Sequence, residues 1–308
     1  GDKVICGENG KFGERWVKVA KEFGLEVIKI DSEWGTPLDP EEFKKVLEED
    51  KQKEIKAVIL THSETSTGVI NDLEIISSYI REHNTALSIV DCVTSLGACN
   101  VPVDQWELDV VASGSQKGYM IPPGLSFVSM SEKAWLASEN SNLPKFYLNL
   151  KSYRKSLESN SNPYTPAVNL IFALDESLKM MKNEGLENIF KRHNKHKLAI
   201  SSAIKSLNLQ LFAHEKYLSP SITAVQLDNI DAENFRKKIK DKFDILLAGG
   251  QDHLKGKIFR VGHLGYVNDR DIISVVSAIS TVLIEENKIS STQAGEALEV
   301  ASKHLATV

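Results

Sequence analysis

Short runs of aliphatic and β-branched residues alternate with stretches of helical apolar spacing through the first half of the chain. That alternation predicts parallel strands joined by crossover helices. Strands are expected at residues 3–6, 26–30, 55–60, 86–90 and 109–112. Asp39-Pro40-Glu41-Glu42 combines an N-cap, a proline at the first helical position and first-turn acids, so a helix starts there and runs to about Glu49. A second crossover helix is expected over 72–82. Residues 125–130 follow Pro122-Pro123-Gly124 too soon for a helical crossover, so this strand runs antiparallel or lies at an edge.

From Pro166 the pattern turns helical to about Leu207. Strands then follow at 222–227, 245–248 and 257–261, with helices at 231–240 and 269–285 and a last one at 294–305. The fold class read from this order is α/β: a mostly parallel open sheet with crossover helices over residues 1–185, and a smaller α+β domain over 186–308. Gly185 marks the expected boundary. The chain contains no internal repeat and no low-complexity segment.

Composition narrows the possibilities. With 308 residues, 42% hydrophobic and 26% charged, the chain can bury a sizeable core and lies outside the disordered range. A formal charge of −5 leaves no global positive field to recruit nucleic acid or anionic lipid. No apolar run approaches the ~18–20 residues that span a bilayer, and the first residues lack a secretory pattern, so a cytoplasmic protein is expected. Cys6, Cys92 and Cys99 are odd in number and lack C-x-x-C spacing, against both a disulfide framework and a zinc site. The basic run Lys191-Arg192-His193-Asn194-Lys195-His196-Lys197 reads as a solvated helix face, not a nucleic-acid or metal site.

Ligands of open α/β sheets bind outside the carboxyl ends of the strands. Four polar clusters follow strand runs: Asn9-Gly10-Lys11-Phe12-Gly13, Thr61-His62-Ser63-Glu64-Thr65-Ser66-Thr67-Gly68, Asp91, and Ser113-Gly114-Ser115-Gln116-Lys117. A lysine, a carboxylate, hydroxyls and an aromatic ring at one sheet edge match the needs of a pyridoxal phosphate enzyme. Such an enzyme needs a lysine for the Schiff base, and partial withdrawal from water enlarges a lysine's share of free amine. It also needs a carboxylate to keep the pyridine nitrogen protonated, and an apolar face for the ring.

Val90-Asp91-Cys92-Val93-Thr94-Ser95-Leu96-Gly97, Ala112-Ser113-Gly114-Ser115-Gln116-Lys117 and Pro122-Pro123-Gly124, in register, resemble the class V aminotransferases of fold type I, within the serine/alanine:glyoxylate branch. The resemblance runs nearly end to end. It implies that Lys117 is the Schiff-base lysine and Asp91 the partner of the pyridine nitrogen. It further implies that Thr65 meets the phenolic oxygen, Gln116 the phosphate, and Phe12 the ring face. Asn162-Pro163-Tyr164-Thr165-Pro166 resembles the segment that reaches a neighbouring subunit's site, which implies a homodimer with Tyr164 and Thr165 as cofactor contacts. Arg260, in Ile258-Phe259-Arg260-Val261-Gly262, resembles the arginine that grips the substrate carboxylate, a task that suits its planar fork.

The implied activity is transfer of an amino group from a small amino acid, such as serine or alanine, to glyoxylate or pyruvate. Family members also carry an N-terminal arm and a Gly/Ser-rich helix start that cradles the phosphate. Neither is found from Gly1 onward, so the large domain is expected to be N-terminally incomplete, either as a piece of a longer chain or as a form with weakened cofactor retention. Two alternatives stand beside transamination: a desulfurase or lyase using the same cofactor, which needs a nucleophilic cysteine, and a non-catalytic scaffold of the same fold.

Overall fold

The computed structural model of the protein describes residues 1–307. The first unit runs β1 (Lys3–Glu8), α1 (Lys11–Glu22), β2 (Glu26–Asp31), α2 (Pro40–Glu49), β3 (Ile55–Thr61), a short antiparallel pair β4 (Ser63–Glu64) and β5 (Val69–Ile70), α3 (Leu73–His83), β6 (Leu87–Asp91), β7 (Val110–Gly114) and β8 (Ser126–Met130). The large sheet has the order β2-β1-β3-β6-β7-β8. All of its pairings are parallel except β7 with β8, so residues 125–130 form the expected antiparallel edge. The α/β class read from the alternating pattern is the one observed.

Local signals explain most of the boundaries. Asp39 accepts from the Glu41 N–H at 3.0 Å with Pro40 at the first helical position of α2. Helix α3 stops at Asn84, whose φ of 71° takes the chain out of the helix. One face of the sheet buries Ile5, Val58, Leu60 and Val90 against Phe43 and Leu47 of α2 and Ile76 and Ile80 of α3. The other face packs Val4, Cys6 and Ile59 on Val17 and Ala20 of α1.

Three helices, α4 (Glu132–Glu139), α5 (Leu150–Glu158) and α6 (Val168–Glu184), lead to α7 (Leu186–Ser206). There follow β9 (Gln210–Leu211), β10 (Ile222–Gln226), α8 (Ala232–Phe243), β11 (Ala248–Gly249), β12 (Ile258–Gly262), α9 (Asp269–Glu285) and α10 (Ser291–Leu305). The second sheet is antiparallel, order β11-β12-β10-β9, and its helices enclose a core of its own around Ile200, Ile204, Phe235, Phe259 and Ile279. Two expectations are corrected. The strand expected at 245–248 shrinks to Ala248–Gly249, because Leu247 turns into this core and its carbonyl accepts from Arg236 Nε at 2.8 Å. The basic run is not simply a solvated face: His193 and His196 are fully buried. No helix among the described residues is long and apolar enough to cross a membrane.

Asn71 ties the first unit together from a buried position. Its Oδ1 accepts from Asn9 Nδ2 at 2.9 Å and from the Leu38 N–H at 2.8 Å, and its Nδ2 donates to the Thr61 carbonyl at 2.8 Å. Asn71→Ala strands those buried groups, so urea unfolding should show a loss of about 2–3 kcal/mol; an unchanged midpoint and slope would refute that accounting. The buried histidines predict a pH dependence. Burial pushes His62 and His193 down to about 4 and His263 to about 3 from an ordinary 6.5. Below pH 6.5 the unfolded chain therefore binds protons that the folded chain refuses, and stability falls as pH drops toward 4. Between pH 7 and 5 the loss should be roughly 1–2 kcal/mol per histidine, read by denaturant unfolding at both pH values, and a flat profile would contradict it.

Candidate active site

Register brings the chemistry to one edge. Thr61 pairs with Asp91 and Asp91 with Ala112, so the segments that follow β3, β6 and β7 leave the sheet side by side. The His62 N–H donates to the Asp91 carbonyl at 3.0 Å and the Cys92 N–H to the Ala112 carbonyl at 2.9 Å, closing the edge.

Asp91 is the electrostatic centre. Its Oδ1 accepts from the Val93 N–H at 3.0 Å and its Oδ2 from the Trp16 indole at 3.2 Å. Burial raises its carboxyl above the usual range, while those two donors and the positive charges of Arg15 and Lys117 pull the other way. The Lys117 charge is thus near enough to the tip of β6 to favour the ionised form of Asp91. Lys117 rides a tight turn closed by the Met120 N–H to its carbonyl at 3.0 Å. Ser115 is structural: its hydroxyl donates to the Pro122 carbonyl at 2.8 Å and accepts from the Leu125 N–H at 3.1 Å.

The segment after β3 grips the start of α1. That helix has no side-chain N-cap of its own. Its free N–H groups are taken instead by residues some fifty positions away: Lys11 N–H donates to Ser66 Oγ at 2.9 Å, and the Phe12 and Gly13 N–H groups donate to Glu64 Oε2 at 3.0 Å. Gly10 is required there because a Cβ would overlap the Glu64 side chain. Burial raises the Glu64 carboxyl, and its four hydrogen bonds from Ser66, Gly13 and Phe12 oppose that rise. The Phe12 backbone is thereby tied to Glu64, the neighbour of Thr65, with the Arg15 guanidinium 5.1 Å from the Phe12 ring centroid. Arg260 reaches in from β12: Nη1 donates to the Thr65 carbonyl at 2.6 Å and Nε to the Gly249 carbonyl at 2.9 Å.

Asp91, Lys117, Phe12, Thr65 and Arg260 are thus gathered by one set of loops, with Gln116 exposed beside Lys117. Tyr164 and Thr165 stand outside it. Tyr164 packs on Phe146, Tyr147 and Tyr153 and donates to the Phe146 carbonyl at 3.2 Å, and Thr165 is exposed. Sequence reading missed Trp16, Glu64 and Ser66. Trp16 lies four residues after Phe12, hence on the same helical face, and that spacing was the available signal.

The edge fits the pyridoxal phosphate ring. Buried polar atoms without a partner, Thr61 Oγ1, His62 Nδ1, Ser95 Oγ and Ser113 Oγ, lie at or just beyond the ends of β3, β6 and β7. A carboxylate, an amine and an aromatic pair stand at the same edge. The thiols supply no nucleophile: burial pushes Cys6 to about 11 and Cys92 and Cys99 to about 12. Among the described residues no group of three or more His, Cys, Asp or Glu could hold a metal ion.

The family model "Aminotransferase class-V" matches residues 1–270. A protein named "Soluble hydrogenase 42 kDa subunit" from Anabaena cylindrica is 60% identical over 92% of this chain and 74% of its own. The serine--glyoxylate aminotransferase of Methylorubrum extorquens is 33% identical over 99% of this chain and 77% of its own. Among solved structures, ureidoglycine-glyoxylate aminotransferase from Bacillus subtilis superposes with a TM-score of 0.91 at 31% identity, covering 98% of this chain and 79% of that one. With this edge geometry and these relatives, the chain belongs to the class V aminotransferases, pyridoxal phosphate-dependent transaminases of fold type I.

Proposed function

We propose that the chain transfers the amino group of a small amino acid, such as serine or alanine, to glyoxylate or pyruvate, working as a cytoplasmic homodimer. One observation carries the reading: parallel register sets Asp91 at the tip of β6 beside the end of β7, whose following turn carries Lys117 close enough for its charge to act on the half-buried carboxyl. Relatives named for serine and glyoxylate, or for ureidoglycine and glyoxylate, support the substrate class.

Bound pyridoxal phosphate supplies the electron sink that makes a substrate Cα–H bond acidic. Asp91 would hold the proton and positive charge at the ring nitrogen, its charged form favoured by the indole and Val93 N–H donors. Lys117 Nζ would hold the cofactor and serve as the base that takes the substrate's Cα proton. Thr65 would meet the phenolic oxygen, Gln116 the phosphate, and Phe12 the ring. Arg260 is pre-oriented by its two backbone carbonyl acceptors, so its remaining N–H groups can take the substrate carboxylate and turn the Cα–H bond toward Lys117.

Dimerisation is supported by the exposed apolar stretch that contains Tyr164 and Thr165. Phe146, Leu148 and Phe172 are 80%, 77% and 71% exposed, large apolar side chains that a second subunit would cover. A reducing compartment suits three unpaired thiols. The desulfurase alternative lacks its nucleophile, because all three thiols are pushed upward.

Two experiments follow from the site. Added pyridoxal phosphate should give the wild type a yellow absorbance and transaminase turnover in a panel of amino donors against glyoxylate, and Lys117→Ala should lose both. A wild type that stays colourless and inert would favour the scaffold reading, and a coloured, active Lys117→Ala would remove Lys117 from the chemistry. Trp16→Phe deletes a donor to the ionised Asp91 carboxylate, which raises that group's pKa. The acid limb of kcat/KM should move to higher pH, and an unmoved limb would mean that the indole does not tune Asp91.

A further inference from the structure

Glu184, Arg192 and His193 take no part in the chemistry above, yet their hydrogen bonds lead to the turn that carries Lys117. His193 is fully buried near the start of α7. Its Nδ1 is bonded to the Ile189 carbonyl at 2.8 Å, and its Nε2 accepts the Gly265 N–H at 3.0 Å. The neighbouring Arg192 Nη1 donates to the Gly265 carbonyl at 2.8 Å and the Val267 carbonyl at 3.1 Å. Gly265 is therefore held at both its N–H and its C=O by consecutive residues of one helix.

Gly265 in turn lies against the lysine turn. Its φ is +84°, and a Cβ there would stand 3.3 Å from the Lys117 carbonyl oxygen and 3.3 Å from Met120 Cγ. From another side, Ser177 of α6 donates to the Tyr119 carbonyl at 2.5 Å. The two helices that reach this turn are locked to each other across Gly185 by a bidentate fork. Arg192 Nε donates to Glu184 Oε1 at 2.6 Å and Nη2 to Glu184 Oε2 at 3.0 Å. Within the turn, Met120 holds a left-handed φ of 60°, a conformation that a non-glycine residue keeps only when its surroundings impose it.

We infer that Glu184, Arg192 and His193 are positioning residues: they clamp the Gly265 turn against residues 117–120 and so fix where Lys117 presents its amine. The inference rests on Lys117 being the reacting amine, but the clamp itself is a property of the cofactor-free chain. An elbow between two helices is suited to this task because its charged fork is half-withdrawn from water and geometrically exacting, so displacement of either helix is transmitted to the turn.

The test compares the full-length wild type with Arg192→Met, Arg192→Lys and Gly265→Ala, first without cofactor. Hydrogen exchange of the Met120 and Ile121 amides, bonded to the Lys117 and Ser115 carbonyls, should speed up about tenfold or more in Arg192→Met and Gly265→Ala. Exchange in β3 should stay at wild-type rates, and Arg192→Lys should recover part of the protection. With pyridoxal phosphate added, kcat should fall about tenfold in Arg192→Met while KM stays nearly unchanged. Wild-type exchange at Met120 and Ile121 in both disruptive variants would overturn the clamp, and so would acceleration shared equally with β3. A wild type that neither binds the cofactor nor turns over would count against the proposed function alone, because the exchange comparison still reads the clamp.

Discussion

A carboxylate held out of water at the tip of β6 is the constraint around which this fold is arranged. Burial raises the Asp91 carboxyl, and a neutral acid could not hold a protonated ring nitrogen. One backbone N–H, one indole N–H and two nearby cations oppose that rise and favour the charged form. Those four groups come from three structural decisions: Val93 from the chain leaving β6, Trp16 and Arg15 from α1, and Lys117 from the turn after β7. Parallel register places the strand ends together, and the charge balance makes that placement useful.

The segment from His62 to Gly68 carries the second share of the design. It caps α1 with Glu64 and Ser66 and, at Thr65, supplies the carbonyl that orients Arg260. Ser63 extends it to the second unit through the hydroxyls of Ser219 and Ser221, at 2.9 and 3.4 Å. The two sheets are thereby joined at the site itself by buried polar contacts. Such contacts are weak as net stabilisation but costly to break singly, which favours one arrangement over nearby alternatives.

Much of this was legible in the sequence because the relevant signals are local. The strand runs around Val58 and Val90, the cap at Asp39, and the polar residues following each strand all report on their own neighbourhoods. What escaped depends on distant partners. The start of α1 carries no cap in its own sequence, because its cap is Glu64. Asp91 looks the same in sequence with or without Trp16 beside it. The histidines of the basic run were misread by their charge, although Ile189, His193, His196, Ile200 and Ala203 follow a helical spacing that marks a buried stripe. The strand at 245–248 was cut short by a hydrogen bond from Arg236 that no window of sequence displays.

The most direct test of the central claim is to map where the cofactor attaches. The wild type, incubated with pyridoxal phosphate, would be reduced with borohydride, digested, and every modified lysine assigned by mass spectrometry, with Asp91→Asn treated in parallel. The account predicts stoichiometric labelling confined to Lys117 in the wild type, and labelling at the same lysine with altered absorbance in Asp91→Asn. Label scattered over surface lysines with Lys117 spared, or an absorbance indifferent to Asp91, would contradict it.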